Sequence, residues 1–378
     1  MSKINQNQIV YYLGAGASAQ AIPVIDGLTP RLGIIADHLM QYISGQNVVN
    51  TLPKKYPELL ALQGPLNTII NDLNWLCKEA QNHQTVDTLA RKFYLIGDPR
   101  SLCRLKRALI SYFFLEQTCI IQDYNEVPTS QRSILDLRYD NLIASIAYKN
   151  GSDVWLKGHI KVITWNYDLQ LELAIKNYKD LDLNQIRSFY NIYPNENVFR
   201  SDSSIDSDIF SCLKLNGTAI HGNLHYDAET VYDLYINRTD LNQAQIVIKY
   251  LEWFNENLNS EKALNPLNFE TFNFAWEGEG YKYKKFKNYL NEYKQILVNS
   301  RVLIIVGYSF PYFNSEIDKE LLSVCNPEEI IIQDSNPVLI KERLLELCPH
   351  LSVDKNNSNS VKIKLLKPDK YFPIHRLT

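Results

Sequence analysis

The chain has 378 residues, 45% of them hydrophobic and 21% charged, with a formal net charge of -3. This composition supports a sizeable core and excludes global disorder, and the slightly acidic balance lacks the basic footprint of a general nucleic-acid binder. A polar N-terminus without a leader pattern, and no apolar run of about 18 residues, lead to the expectation of a soluble, cytoplasmic protein with no membrane partner.

In chain order, the first strong element is the strand-like run Ile9–Leu13. It feeds Gly14-Ala15-Gly16-Ala17-Ser18 and a segment expected to be helical from Ala17 onwards. A buried strand that delivers a glycine-rich loop to a helix N-terminus brings backbone N–H groups close to a diphosphate, with Gly14 and Gly16 leaving no Cβ in the way. The full G-x-G-x-x-G spacing is absent, because position 19 is Ala19, and the same residues also read as an ordinary strand–turn–helix. From about Leu28 to Lys149 apolar residues recur at helical spacing, punctuated by Pro53, Pro57, Pro65 and Pro99, which predicts a helical insertion. Strand-like runs return at Lys161–Trp165, Cys212–Leu215, Val302–Val306, Ile330–Gln333 and Val361–Leu365, with helical segments at Leu169–Tyr178, Ser315–Val324 and Pro337–Leu347. This alternation predicts an α/β fold: a Rossmann-like, doubly wound parallel sheet of about six strands with large helical insertions. Residues 1–27 and 150–378 would form the discontinuous core, 28–149 a helical insertion, and 222–300 an aromatic-rich insertion within the core. The aromatic segment, with Trp253, Phe254, Phe272, Phe274, Trp276 and Phe286, reads as a helical cap on the sheet or a self-association surface; a base-stacking platform is the competing reading.

Six cysteines, Cys77, Cys103, Cys119, Cys212, Cys325 and Cys348, include no C-x-x-C pair. Reduced, mostly buried thiols are expected, and a zinc site of paired cysteines is ruled out by spacing. His221 and His225 are spaced to share a helix face, but no third ligand accompanies them, so no metal is expected.

Four segments fall at the carboxyl ends of the expected strands. Beyond the glycine loop, Thr164-Trp165-Asn166-Tyr167-Asp168 would aim two polar side chains into the crevice: an amide able to hold a ribose hydroxyl or a water, and a carboxylate able to accept from a carboxamide or polarise a nucleophile. Helix capping is the plainer role for Asn166 or Asp168. Lys214-Leu215-Asn216-Gly217-Thr218 follows, then Gly307-Tyr308-Ser309-Phe310-Pro311, whose Gly-x-Ser can grip phosphate or ribose. Last comes Asp334-Ser335-Asn336-Pro337, which suits either the adenosine side of a dinucleotide or a helix cap with Pro337 in the first turn.

Taken in order, these pieces, with Ile22-Pro23 after the glycine loop, resemble the sirtuin superfamily, in its bacterial defence-associated branch rather than its protein deacylases. They cover roughly a third of the chain. The resemblance implies NAD as substrate in a Rossmann-like site and cleavage of its nicotinamide–ribose bond, giving nicotinamide and ADP-ribose, with NAD depletion as an anti-phage, abortive-infection response. It implies that Gly14, Ala15, Gly16 and Ser18 cradle the diphosphate, that Asn166 orients the nicotinamide ribose and that Asp168 engages the nicotinamide end. Thr164, Asn216, Gly217, Gly307, Ser309, Ser335 and Asn336 would hold the rest of the dinucleotide. It further implies restraint through homo-oligomerisation or through a partner such as a HerA-like ATPase, with nucleic acid involved only indirectly. One position departs from the family: Asn216 stands where the family's Lys-Leu-His-Gly segment places its general base. Asn216 cannot accept a proton at neutral pH, and His221 is the nearby replacement. The alternatives are a catalytically inactive subunit that binds NAD or ADP-ribose and, resting on the aromatic segment alone, a nucleic-acid-acting defence protein.

Overall fold

The computed structural model describes residues 8–44, 57–83, 85–118, 135–181, 183–193, 209–219, 243–257, 281–352 and 361–375, together with residues 272, 274, 276 and 277. The chain divides into two compact units. The first comprises Met1–Ala19, Leu135–Thr218 and Asn273–Thr378, and the second Gln20–Ile134 and Ala219–Phe272. The sequence reading had placed the boundaries at residues 27, 149, 222 and 300. At 149 and 300 the difference arises because helix Leu137–Ile146 and helix Tyr281–Val298 belong to the sheet unit, although their periodicity alone matches that of the insertions.

The first unit is α/β. Its strands are β1 (Gln8–Leu13), β2 (Ala147–Asn150), β3 (Asp153–Leu156), β4 (Ile160–Thr164), β5 (Ile192–Tyr193), β6 (Ser211–Lys214), β7 (Ser300–Val306), β8 (Glu329–Gln333) and β9 (Lys362–Leu366). Seven of them form one sheet in the order β5-β6-β4-β1-β7-β8-β9, with every pairing parallel, and β2 and β3 form a separate hairpin. The six strand-like runs of the sequence are the six longer strands of this sheet, each within a residue or two. The seventh, β5, has two residues, too few to leave a pattern in the sequence. The hairpin β2–β3 is likewise new; β2 lies largely exposed and carries no buried run.

The central strands β1, β4 and β7 are buried along nearly their whole length because both faces are covered, as parallel sheets require, whereas the edge strand β9 carries exposed Lys362 and Lys364. On one face Val10, Tyr12, Ile163, Leu213, Leu303, Ile305 and Ile332 join residues of helices Tyr281–Val298, Ser315–Leu322 and Pro337–Leu347 in a single core. Alternate residues, among them Tyr11, Val162, Cys212 and Ile304, are buried on the other. On that face Lys214 meets Glu172 of helix Gln170–Lys176.

Register aligns the carboxyl ends in one row: Leu13 pairs with both Thr164 and Val306, Thr164 with Lys214, and Val306 with Gln333. From β1 the chain goes on to β4 on one side and only later to β7 on the other, so β1 is the topological switch point, where parallel sheets open a crevice for ligands.

The second unit is helical. Its described helices are Ile25–Ser44, Glu58–Ala61, Gln63–Ala80, Val86–Leu95, Pro99–Thr118 and Gln243–Asn257. Two of the prolines that punctuate this region sit at helix starts, where the missing N–H is harmless: Pro57 precedes Glu58–Ala61 and Pro99 opens its helix. Asp72 holds Arg104 at 2.7 Å and Arg107 at 2.6 Å, and Phe114 stacks on Tyr250 at 4.1 Å between ring centroids. No helix among the described residues is long and apolar enough to cross a membrane.

Candidate active site

The glycine segment differs from its expected form. Ala15–Ser18 is a single 3-10 turn, and the α-helix does not begin until Ile25. Pro23 lies between them and biases Ile22 away from helical backbone. A four-residue turn offers no macrodipole to an anion, so that part of the expected diphosphate grip is absent. The glycines also have a structural cause. A Cβ on Gly14 would lie 2.7 Å from the Gly307 carbonyl oxygen, one on Gly16 would lie 2.7 Å from the Gly307 Cα, and one on Gly307 would lie 2.4 Å from Gly16. The loops after β1 and β7 thus touch backbone to backbone. Gly14 N–H donates to Val306 O at 3.0 Å, Gly16 N–H to Gly307 O at 2.9 Å and Ala17 N–H to Gly14 O at 2.8 Å. Close packing of the two loops is thus one requirement that these glycines meet.

Three candidate side chains do meet at the β1–β4 end. Asn166 Nδ2 donates to Gly14 O at 2.9 Å and to Ser18 Oγ at 3.2 Å; Ser18 Oγ in turn donates to Asp168 Oδ2 at 2.8 Å. Asn166 and Asp168 are 7% and 6% exposed. Thr164 contributes from below, its Oγ1 accepting the Asn166 N–H at 3.0 Å. Asp168 Oδ1 also accepts the N–H of Gln170 at 3.0 Å, so it caps helix Gln170–Lys176 as well as facing Ser18. Burial pushes the Asp168 carboxyl above the usual carboxylate range, against the opposing pull of Lys214.

A supporting layer lies behind these residues, and the sequence reading did not identify it as such. Arg138 Nη2 donates to the carbonyls of Gly16 at 3.0 Å and Ala17 at 3.1 Å while ion-paired to Asp136 at 2.6 Å. Tyr139 OH lies 3.3 Å from Ser18 Oγ. Lys214 Nζ donates to the Asp168 carbonyl oxygen and to Glu172 at 2.8 Å; Glu172 also receives Arg187 at 3.2 Å, and Arg187 donates to Thr218 Oγ1 at 2.9 Å. Burial acts to raise the Glu172 carboxyl, but its two cations outweigh it and hold it below the usual range. Lys214 was visible in the Lys-Leu-x-Gly-Thr motif; Arg187 and the reach of Arg138 to the Gly16 and Ala17 carbonyls carried no local signal, since those partners lie far off in sequence.

The remaining candidates are placed differently. Asn216 and Gly217 form a buried turn after β6, with Gly217 at φ +69° and its N–H donating to Lys214 O at 3.1 Å. Ser309, Ser335 and Asn336 are exposed at the ends of β7 and β8. Asn336 Oδ1 accepts from Leu339 N–H at 3.4 Å as the cap of helix Pro337–Leu347, the plainer of its two sequence readings. His221, His225 and Cys119 lie outside the described residues. In the aromatic segment Trp253, Phe254, Phe272, Phe274 and Phe286 are buried, and Trp276 is half-buried. No group of three or more His, Cys, Asp and Glu side chains able to hold a metal ion occurs among the described residues. Compared with protein-family models and with curated proteins, the chain matches none.

Proposed function

We propose that the protein hydrolyses NAD to nicotinamide and ADP-ribose. The observation that carries this reading is the convergence of Asn166, Ser18 and Asp168 at the switch point of a parallel sheet, with Asp168 desolvated and its carboxyl raised. The resemblance to defence-associated sirtuins supplies the bond to be broken. The C1′–N1 bond of the nicotinamide riboside cleaves, its electron pair neutralises the pyridinium ring, and water adds its oxygen to C1′ and releases a proton. A buried carboxylate suits this chemistry, because a cationic ring offsets the desolvation that disfavours its ionised form, and an oxocarbenium-like centre prolongs that benefit. Asn166 would orient the ribose, and Ser309 and Ser335 would lie along the remainder of the dinucleotide. His221 is the proposed assisting base, with Asn216 limited to placing a hydroxyl or water. NAD depletion in phage defence, oligomerisation and an ATPase partner extend the proposal to the cell.

A second reading is favoured by one observation. The Asn166 amide and both Asp168 oxygens are already paired within the protein, which suits a subunit that binds NAD or ADP-ribose without turning it over. Isothermal calorimetry with NAD, followed by chromatography of the same sample for nicotinamide, separates the two: binding with release supports hydrolysis, and binding without release supports the inactive subunit.

A further inference from the structure

On the face of the sheet opposite Lys214, the carboxyl of Asp318, in helix Ser315–Leu322, is buried and receives side chains from the ends of three adjacent strands. Tyr12 OH donates to Oδ1, Trp165 Nε1 donates to the same oxygen at 3.0 Å, and Tyr308 OH donates to Oδ2 at 2.7 Å. Tyr12 lies two residues before Gly14, Trp165 one before Asn166 and Tyr308 one before Ser309. The Trp165 and Tyr308 rings stack at 5.9 Å between centroids, and Asn314 Nδ2 donates to Tyr308 OH at 3.2 Å.

The surroundings of this group are apolar. A carboxyl there is costly, and a hydrophobic side chain of similar size would fill the space without that cost. What it provides is directional: three donors on three strands are fixed to one point. The loop that follows β7 needs such fixing, since Gly307 and Phe310 both have positive φ, +58° and +50°. An aromatic residue persists in that region only when its surroundings over-determine it. We propose that Asp318 is a positioning residue that sets the ends of β1, β4 and β7, and through them the Asn166–Asp168 segment and Ser309. Its benefit to NAD chemistry rests on the reading above; the positioning itself is a property of the fold.

Burial pushes the Asp318 carboxyl up to about 7, with hydrogen bonds from Tyr12, Tyr308 and Trp165 opposing. The groups around it are Tyr12, Tyr308 and Cys348, whose protons burial holds more tightly than usual, and the cation Lys319 beside it in the helix. The ionised carboxyl accepts all three donors; the protonated one must itself donate, and one of the three loses its acceptor. Burial favours the protonated form by more than these bonds favour the ionised one, so the three strand ends are held most tightly below about 7 and loosen as pH rises through it.

Amide hydrogen exchange on the full chain between pH 6 and pH 8, corrected for intrinsic rates, tests this. In the wild type, residues 164–169 and 306–311 should be less protected at pH 8 than at pH 6, with residues 329–333 unchanged. Asp318→Asn should abolish that pH step, speed exchange at both segments on the order of tenfold, and weaken NAD affinity by about 10–100-fold, the usual range for lost supporting contacts. Unchanged exchange at both segments, or a loss spread evenly over the sheet, overturns the proposal. Should the wild type show the pH step yet bind no NAD at either pH, the dinucleotide reading fails and the positioning stands. If Asp318→Asn does not fold, Tyr308→Phe removes one donor and keeps the ring. It should speed exchange selectively at 306–311, and wild-type exchange there overturns the proposal.

Discussion

The two sides of the switch point are built in opposite ways. At the β1–β4 end Ser18, Asn166 and Asp168 are buried, bonded to one another and backed by a network of buried ions. At the β7–β8 end Ser309, Ser335 and Asn336 are exposed; Arg343 donates to the Ser309 carbonyl at 2.7 Å, Lys367 donates to the Ser335 carbonyl, and Asn336 caps a helix. Desolvated groups in fixed orientation are what bond cleavage needs, because electrostatic effects are stronger out of water and no reorganisation is required. Exposed hydroxyls and amides add grip with little chemistry. On the proposed reading, reaction belongs to the first side and recognition to the second.

The largest effect is expected from breaking the support of the first side. Glu172→Gln leaves Lys214 and Arg187 buried without their carboxylate and should cost about 3–5 kcal/mol, read by urea denaturation at pH 7. Because the folded Glu172 carboxyl lies below its unfolded value, its contribution is present above that unfolded value and is lost as pH falls through the folded one. The variant should therefore lose part of the wild type's acid sensitivity. Asn166→Ala should lower NAD cleavage by about 10²–10³-fold with the fold retained by circular dichroism, since it removes orientation.

Gly307→Ala comes next. Its Cβ would meet the Gly16 backbone and its φ is positive, so a loss of about 1–3 kcal/mol is expected in thermal unfolding. Asp168 gives an effect of opposite pH sign to Glu172. Its folded carboxyl is raised, so the stability it contributes is present below its unfolded value and disappears as pH rises through the folded one. A cationic ligand favours the ionised form, so NAD affinity should rise with pH over that interval, whereas reduced NAD, with an uncharged ring, should show no such rise by calorimetry. The smallest effect belongs to the exposed side: Ser335→Ala should change NAD affinity by less than about tenfold and leave turnover of bound NAD unchanged. A large loss of turnover there would erase the division between the two sides.

Much of the sheet was legible because parallel strands covered on both faces leave unbroken apolar runs, and Ile9–Leu13 or Val302–Val306 can hardly be read otherwise. The convergence of Asn166 and Asp168 followed from their place at a strand end. Ser18 also reached the site, though from a 3-10 turn in place of a helix. What stayed hidden depends on distance along the chain. The reason for Gly16 is Gly307, nearly 300 residues away; the partners of Asp318 come from three separate strands; and Arg138 reaches a loop that precedes it by a whole helical unit. Local pattern carries no trace of such pairings. Asn336 shows the converse limit, since a cap and a ligand contact ask for the same residue in the same place.

The central claim, that the buried Ser18–Asn166–Asp168 side performs the cleavage, is tested most directly by proton NMR of NAD incubated with the full-length wild type and with Asn166→Ala, alone and with an ATPase partner. Nicotinamide and ADP-ribose should appear in equal amounts with the wild type and be lost with the variant. Nicotinamide release that persists unchanged in a folded Asn166→Ala protein, or wild type that binds NAD and never releases nicotinamide under either condition, would contradict the account.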